Sequence, residues 1–246
     1  MPSVYHLPRH AYQPKQKRAR PRIERKMRAI DVDRQAAQYL NPRTSPNGLS
    51  WQWTWLKCRE EYRIAMANGA VTAELSSAVF AALRTYGMTR AIGGEITRVH
   101  IGQALSRIWP HITALRHVDL DSLHAGPEGV NRSSLVKAFD GLNNIGEQRD
   151  TTITLRGKIL MLTWGGTPGF DSYVRTSARG TLVGPPQHQD PAWPWRKTLR
   201  RISGNEYVDM MQAIATEYQR VNPGTRKPGG VTHGRWLDMA WMFGPT

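Results

Sequence analysis

From Ser50 onward, apolar side chains recur at helical spacing. Trp51, Trp55, Cys58 and Tyr62 follow at intervals of 4, 3 and 4, one face of a helix that Ser50 would cap. Thr72 opens a second helix with Leu75, Val79, Leu83 and Tyr86 on one side and Gly87 at its end. A third starts near Glu95 and turns Ile101, Leu105, Ile108, Ile112 and Leu115 inward; Pro110 should kink or split it. Ser133 or Ser134 begins a fourth, carrying Leu135, Phe139, Leu142 and Ile145. Leu155 to Trp164 is apolar on almost every side and predicts a short, buried helix.

Between Gly165 and Pro194 the pattern fails, with ten of thirty residues Gly or Pro. It resumes at Ser203-Gly-Asn-Glu206, a capping box that leads into Tyr207, Met210, Ile214, Tyr218 and Val221. Asn222-Pro223-Gly224 stops that helix, and Thr232 to Phe243 predict a last one. The single candidate strand is Thr151 to Leu155. The expected fold is all-α: one helical domain over 46–246, interrupted by a Gly/Pro-rich loop at 165–197. A disordered basic arm over 1–45 precedes it.

Composition sharpens the picture of that arm. Its first 29 residues hold Arg9, Lys15, Lys17, Arg18, Arg20, Arg22, Arg25, Lys26 and Arg28 against Glu24 alone, +8 of the chain's formal net charge of +15. Prolines 2, 8, 14 and 21 break any helix there, and few aliphatic side chains are available to bury. A basic, proline-broken segment on a globular body suits a polyanion, because neutralised phosphates release condensed counterions. The expected partner is nucleic acid, DNA ahead of RNA, with Lys15, Lys17, Arg18, Arg20, Arg22, Arg25, Lys26 and Arg28 as phosphate contacts. No apolar run reaches the 18 residues that a membrane span needs, so no membrane partner is expected. The lone Cys58 excludes a disulfide framework and fits a reducing cytoplasm.

Two aromatic groups bear on nucleic-acid contact. Trp51, Trp53 and Trp55 would make a stacking platform on a strand, but on a helix Trp51 and Trp55 face the core, and the helical reading is the stronger. Trp193, Trp195, Arg196 and Lys197, with Arg200 and Arg201 nearby, pair aromatics with cations. They form either a second phosphate-and-stacking surface or a loop fixed to the core by its tryptophans.

Phosphate-loop, dinucleotide, zinc-protease and serine-hydrolase motifs are all absent, and no cofactor is expected. Asp119, Asp121 and His124 lie close together, but in a loop where capping and turn formation outweigh a metal site. The stretch from Arg156 to Arg175 stands out. It sets Lys158 in an apolar helix, then a Gly/Pro turn, then Asp171 at a helix start. A buried lysine with a carboxylate nearby is an amine nucleophile with a proton acceptor. On the residues alone, the balance favours Lys158 snorkelling to the surface and Asp171 capping a helix.

Lys158, Pro168, Phe170, Asp171 and Val174 fit a pattern of lysine, proline turn, aromatic-Asp pair and aliphatic residue. This resembles a segment of bacterial helical proteins similar to 8-oxoguanine DNA glycosylases, of the helix-hairpin-helix superfamily. Arg235-Trp-Leu-Asp-Met-Ala-Trp-Met-Phe-Gly244 resembles the element that often ends such chains. By that resemblance, spanning about residues 130–244, Lys158 attacks the sugar C1′ of a flipped nucleotide and Asp171 assists departure of the base. The superfamily's hairpin carries two glycines, and here Leu142-Asn-Asn-Ile-Gly146 carries one. Three readings therefore stand. The leading one is a nucleic-acid-binding helical protein; the others are a base-excision enzyme and a non-catalytic assembly protein whose arm packs nucleic acid.

Overall fold

The helix expected around Leu155 is the centre of the fold. In the computed structural model, which describes residues 32–91, 94–125, 130–146, 151–169, 202–221, 224 and 227–243, every residue from Leu155 to Trp164 is buried. Elements in chain order are α1 (Val32–Leu40), α2 (Gly48–Asn68), α3 (Ala73–Thr85), β1 (Arg90–Ala91), β2 (Gly94–Glu95) and α4 (Arg98–Ala114). A 3-10 turn at Leu120–Ala125 follows, then α5 (Val130–Asp140), α6 (Ile153–Leu162), α7 (Gly204–Val221) and α8 (His233–Phe243). The expected all-α class holds, the one ladder among the described residues being the two-residue antiparallel pair β1–β2. No helix among the described residues is long and apolar enough to cross a membrane.

Helix α6 packs on α2, α3 and α5, and burial on all sides explains its lack of a polar face. Around it, α2 lies on α3, α3 on α4, α4 on α5, and α5 on α7. The first and last described helices, α1 and α8, pair closely.

Local signals explain most of the element ends. The Thr72 side chain accepts from Leu75 N–H at the start of α3, and Gly87 follows its end with φ 69°. At α7, Ser203 Oγ accepts from Glu206 N–H at 3.3 Å and the Glu206 carboxylate accepts from Ser203 N–H at 2.8 Å, the expected capping box.

Several expectations differ from the structure. Ser50 does not cap α2, which starts at Gly48 behind Asn47. Pro110 lies inside α4 and does not split it, since the helix runs on to Ala114. Thr151 to Leu155 is no strand, because Thr152 caps α6 by accepting from Leu155 N–H at 3.3 Å. The packed body also begins before residue 46: Val32, Ala36 and Tyr39 of α1 are buried, and Trp236 Nε1 of α8 donates to Asp33 at 2.7 Å. Residues 1–31, which contain the basic arm, lie outside the described residues.

Candidate functional site: a lysine, an aspartate and an arginine inside the helices

Because α6 is buried all round, a lysine on it has no surface to reach. Lys158 is only 2% exposed at its side chain and does not snorkel. That expectation fails because α2, α3 and α5 enclose α6. Its Nζ lies 3.4 Å from Oδ1 of Asp238, whose side chain is wholly buried.

Asp238 comes from α8, one turn after Arg235, and the (i, i+3) spacing puts both on one face. Arg235 Nη1 donates to Asp238 Oδ2 at 2.5 Å, its Nε to Gln52 Oε1 at 3.2 Å, and its Nη2 to the Tyr39 hydroxyl at 3.3 Å. The guanidinium thus holds α8 to α2 and α1 and fixes one carboxylate oxygen. The other oxygen accepts from Lys158 and, at 2.9 Å, from Gly169 N–H. Gly169 lies so close that a Cβ there would stand 2.4 Å from Lys158 Cδ and 2.7 Å from Nζ.

Aromatic rings enclose the charges. Lys158 Nζ is 5.3 Å from the Tyr86 ring centroid, and the Arg235 guanidinium is 5.4 Å from that of Tyr39 and 5.9 Å from that of Trp55. Burial pushes the Tyr86 phenol up to about 12 and also raises that of Tyr39, so both are neutral at pH 7. Burial opposes the charge on Arg235, but Tyr39 and Asp238 outweigh it and hold the proton more firmly than usual. Burial likewise pushes the Cys58 thiol of α2 up to about 12, which leaves it unreactive.

No family model matches this chain, and neither does any curated protein or solved structure.

The other residues expected at a site are placed as follows. Asp171 lies outside the described residues, as do Trp193, Trp195, Arg196, Lys197, Arg200, Arg201 and the basic residues of the arm. Trp51, Trp53 and Trp55 stand on a helix: Trp55 is buried and donates to Met161 O at 3.0 Å, while Trp53 is 70% exposed.

Asp119 acts from a distance. Its carboxylate accepts from the N–H groups of His233 at 2.8 Å and Gly234 at 3.2 Å, capping α8. His233 Nδ1 meets the Tyr218 hydroxyl at 3.0 Å, and its Nε2 stands 3.5 Å from Asp121. Asp119, Asp121 and His233 are near enough together to invite a metal reading, yet Asp119 is already engaged as a cap. Proximity in the chain suggests His124 instead, but its Nδ1 bonds Asp121 O within the 3-10 turn.

Chemically, the arrangement is an amine beside a carboxylate that also meets an arginine, inside an aromatic shell. Such a site can pass a proton from nitrogen to oxygen and present a nucleophilic amine.

Proposed function

We propose that this chain binds nucleic acid through its basic N-terminal arm. Eight of its nine Lys/Arg, from Lys15 to Arg28, supply the phosphate contacts, and α1, which follows the arm in the chain, lies against α8, the helix of Arg235 and Asp238. Deleting residues 1–29 weakens binding strongly and lowers the salt slope by about 0.9 for each phosphate that the arm neutralises. The thermal midpoint of the body stays nearly unchanged, since the buried face of α1 begins at Val32. An unchanged salt slope would overturn the assignment to the arm.

A second reading is favoured by one observation, the enclosure of the Lys158 amine against Asp238. In it the chain is a base-excision glycosylase and lyase. Asp238 takes a proton from the Lys158 ammonium, and the free amine bonds to C1′ of an extruded deoxynucleotide. The glycosidic bond breaks, the base leaves with the electron pair, and Asp171, by the resemblance above, assists its departure. The departing base takes one of the two protons left on the nitrogen and the ring oxygen takes the other as the sugar opens, giving an imine, which borohydride reduces to a stable amine.

The expected result is a covalent adduct between the protein and an 8-oxoguanine duplex under borohydride. Lys158→Gln abolishes the adduct and retains affinity, because the arm supplies most of the binding. No adduct from the wild-type chain, with either a damaged base or an abasic site, would leave the binding protein alone.

A further inference from the structure

Tyr86 has a hydroxyl oxygen that is buried and makes no hydrogen bond. A buried polar group without a partner costs free energy, so native chains leave few of them. This one lies among charges: Lys158 Nζ is 5.3 Å from its ring, and Arg235, Lys158, Tyr39 and Asp238 all act on it electrostatically. The phenol is neutral at pH 7 and therefore offers a donor.

Its surroundings suggest what fills the gap. Tyr86 follows the last residue of α3, its backbone N–H bonded to Ala82 O at 3.0 Å, and its ring lies near the start of α2. There Trp51 stands 6.3 Å from Tyr86 at an interplanar angle of 62°, and 6.1 Å from Tyr39 at 30°. Trp51 and Tyr86 are each partly exposed, whereas Tyr39 and the Tyr86 hydroxyl are buried. The two rings make an aromatic corner, partly exposed at each ring, whose Tyr86 side lies against the buried lysine.

We infer that the Trp51–Tyr86 corner is a recognition site for an unstacked nucleobase, with Trp51 giving its face and Tyr86 donating to an acceptor on the base edge. The acceptor is a carbonyl oxygen or an unprotonated ring nitrogen, and aromatic stacking tolerates any base plane. This inference rests on the Lys158 reading for its reactive end: a base held in the corner brings its C1′ to the amine.

Tyr86→Phe keeps the ring and removes only the donor. Removing an unsatisfied buried hydroxyl leaves the thermal midpoint unchanged or raises it. With an 8-oxoguanine duplex, adduct formation should fall about 10–100-fold, the loss of one hydrogen bond to a buried group. With an abasic duplex, which offers no base to read, wild type and variant should trap at the same rate. Equal rates for the two proteins on the base-bearing duplex would overturn the corner and leave the lysine reading intact.

If the wild-type chain traps neither duplex, the lysine reading fails and binding decides the corner. Wild type should then prefer a base-bearing single strand over its abasic counterpart, and Tyr86→Phe should lose that preference. An unchanged preference would overturn the inference.

Discussion

Asp238→Asn should destabilise the chain by about 3–5 kcal/mol, the cost of leaving buried cations without their carboxylate. For a body of this size that lowers the melting temperature by roughly 6–20 °C. The side chain is wholly buried and meets Arg235 at 2.5 Å, Lys158 at 3.4 Å and Gly169 N–H at 2.9 Å. An amide keeps the shape and one acceptor but not the charge, so the loss reports electrostatics more than packing. Lys158→Met in the same chain removes one of the cations, and the double variant should lose less than the sum of the singles. Strict additivity in thermal melts, or a loss from Asp238→Asn below about 1 kcal/mol, would show that the three charges do not act as one unit.

Gly234→Ala should cost about 3 kcal/mol or more, at the upper end of overpacking effects. A Cβ at residue 234 would stand 2.5 Å from Thr167 N, 2.6 Å from Gly166 C and 2.8 Å from Gly165 O, all of them backbone atoms. Rotamer changes cannot relieve such a clash, so α8 must move from the 165–167 loop and take Asp238 with it. Gly229→Ala is the matched control, since a Cβ there meets nothing within 4 Å. Denaturant unfolding of the two variants separates the outcomes, and equal midpoints would contradict the close seating of α8.

Helix starts show where the sequence is readable and where it is not. Thr72 and the Ser203–Glu206 box act within four residues of where they stand, so the helices they open are visible in the chain itself. Ser50 misleads because Gly48 abuts the carbonyl of Tyr39, and only a residue without Cβ allows that approach. That is a tertiary constraint, which overrides a local preference. Helix α1 is hidden by its neighbours: the charge of residues 1–29 colours the whole N-terminus, while the burial of Val32, Ala36 and Tyr39 depends on α8.

Within the site, Lys158 stands out as a cation in an apolar run. Its companions do not, because Tyr39, Gln52, Tyr86 and Asp238 come from four separate helices or their ends, and no spacing rule joins them. The one available signal is Arg235 and Asp238 at (i, i+3) in an α8 whose other residues from Trp236 onward are apolar. Charges so placed in a core helix need partners inside it.

The pairing of α1 with α8 also governs how the chain comes into being. Trp236 bonds Asp33 across 203 residues, so the apolar face of α1 leaves the ribosome long before its cover exists. At ordinary elongation speeds that interval lasts on the order of 10–40 s. During it the nascent chain carries a naked apolar helix directly behind a strongly cationic leader. Emergence of α8, rather than of the N-terminal half, is therefore the moment at which α1 is covered. Messages truncated before residue 233 should yield chains that never bury Tyr39 and are removed by the cell's proteases.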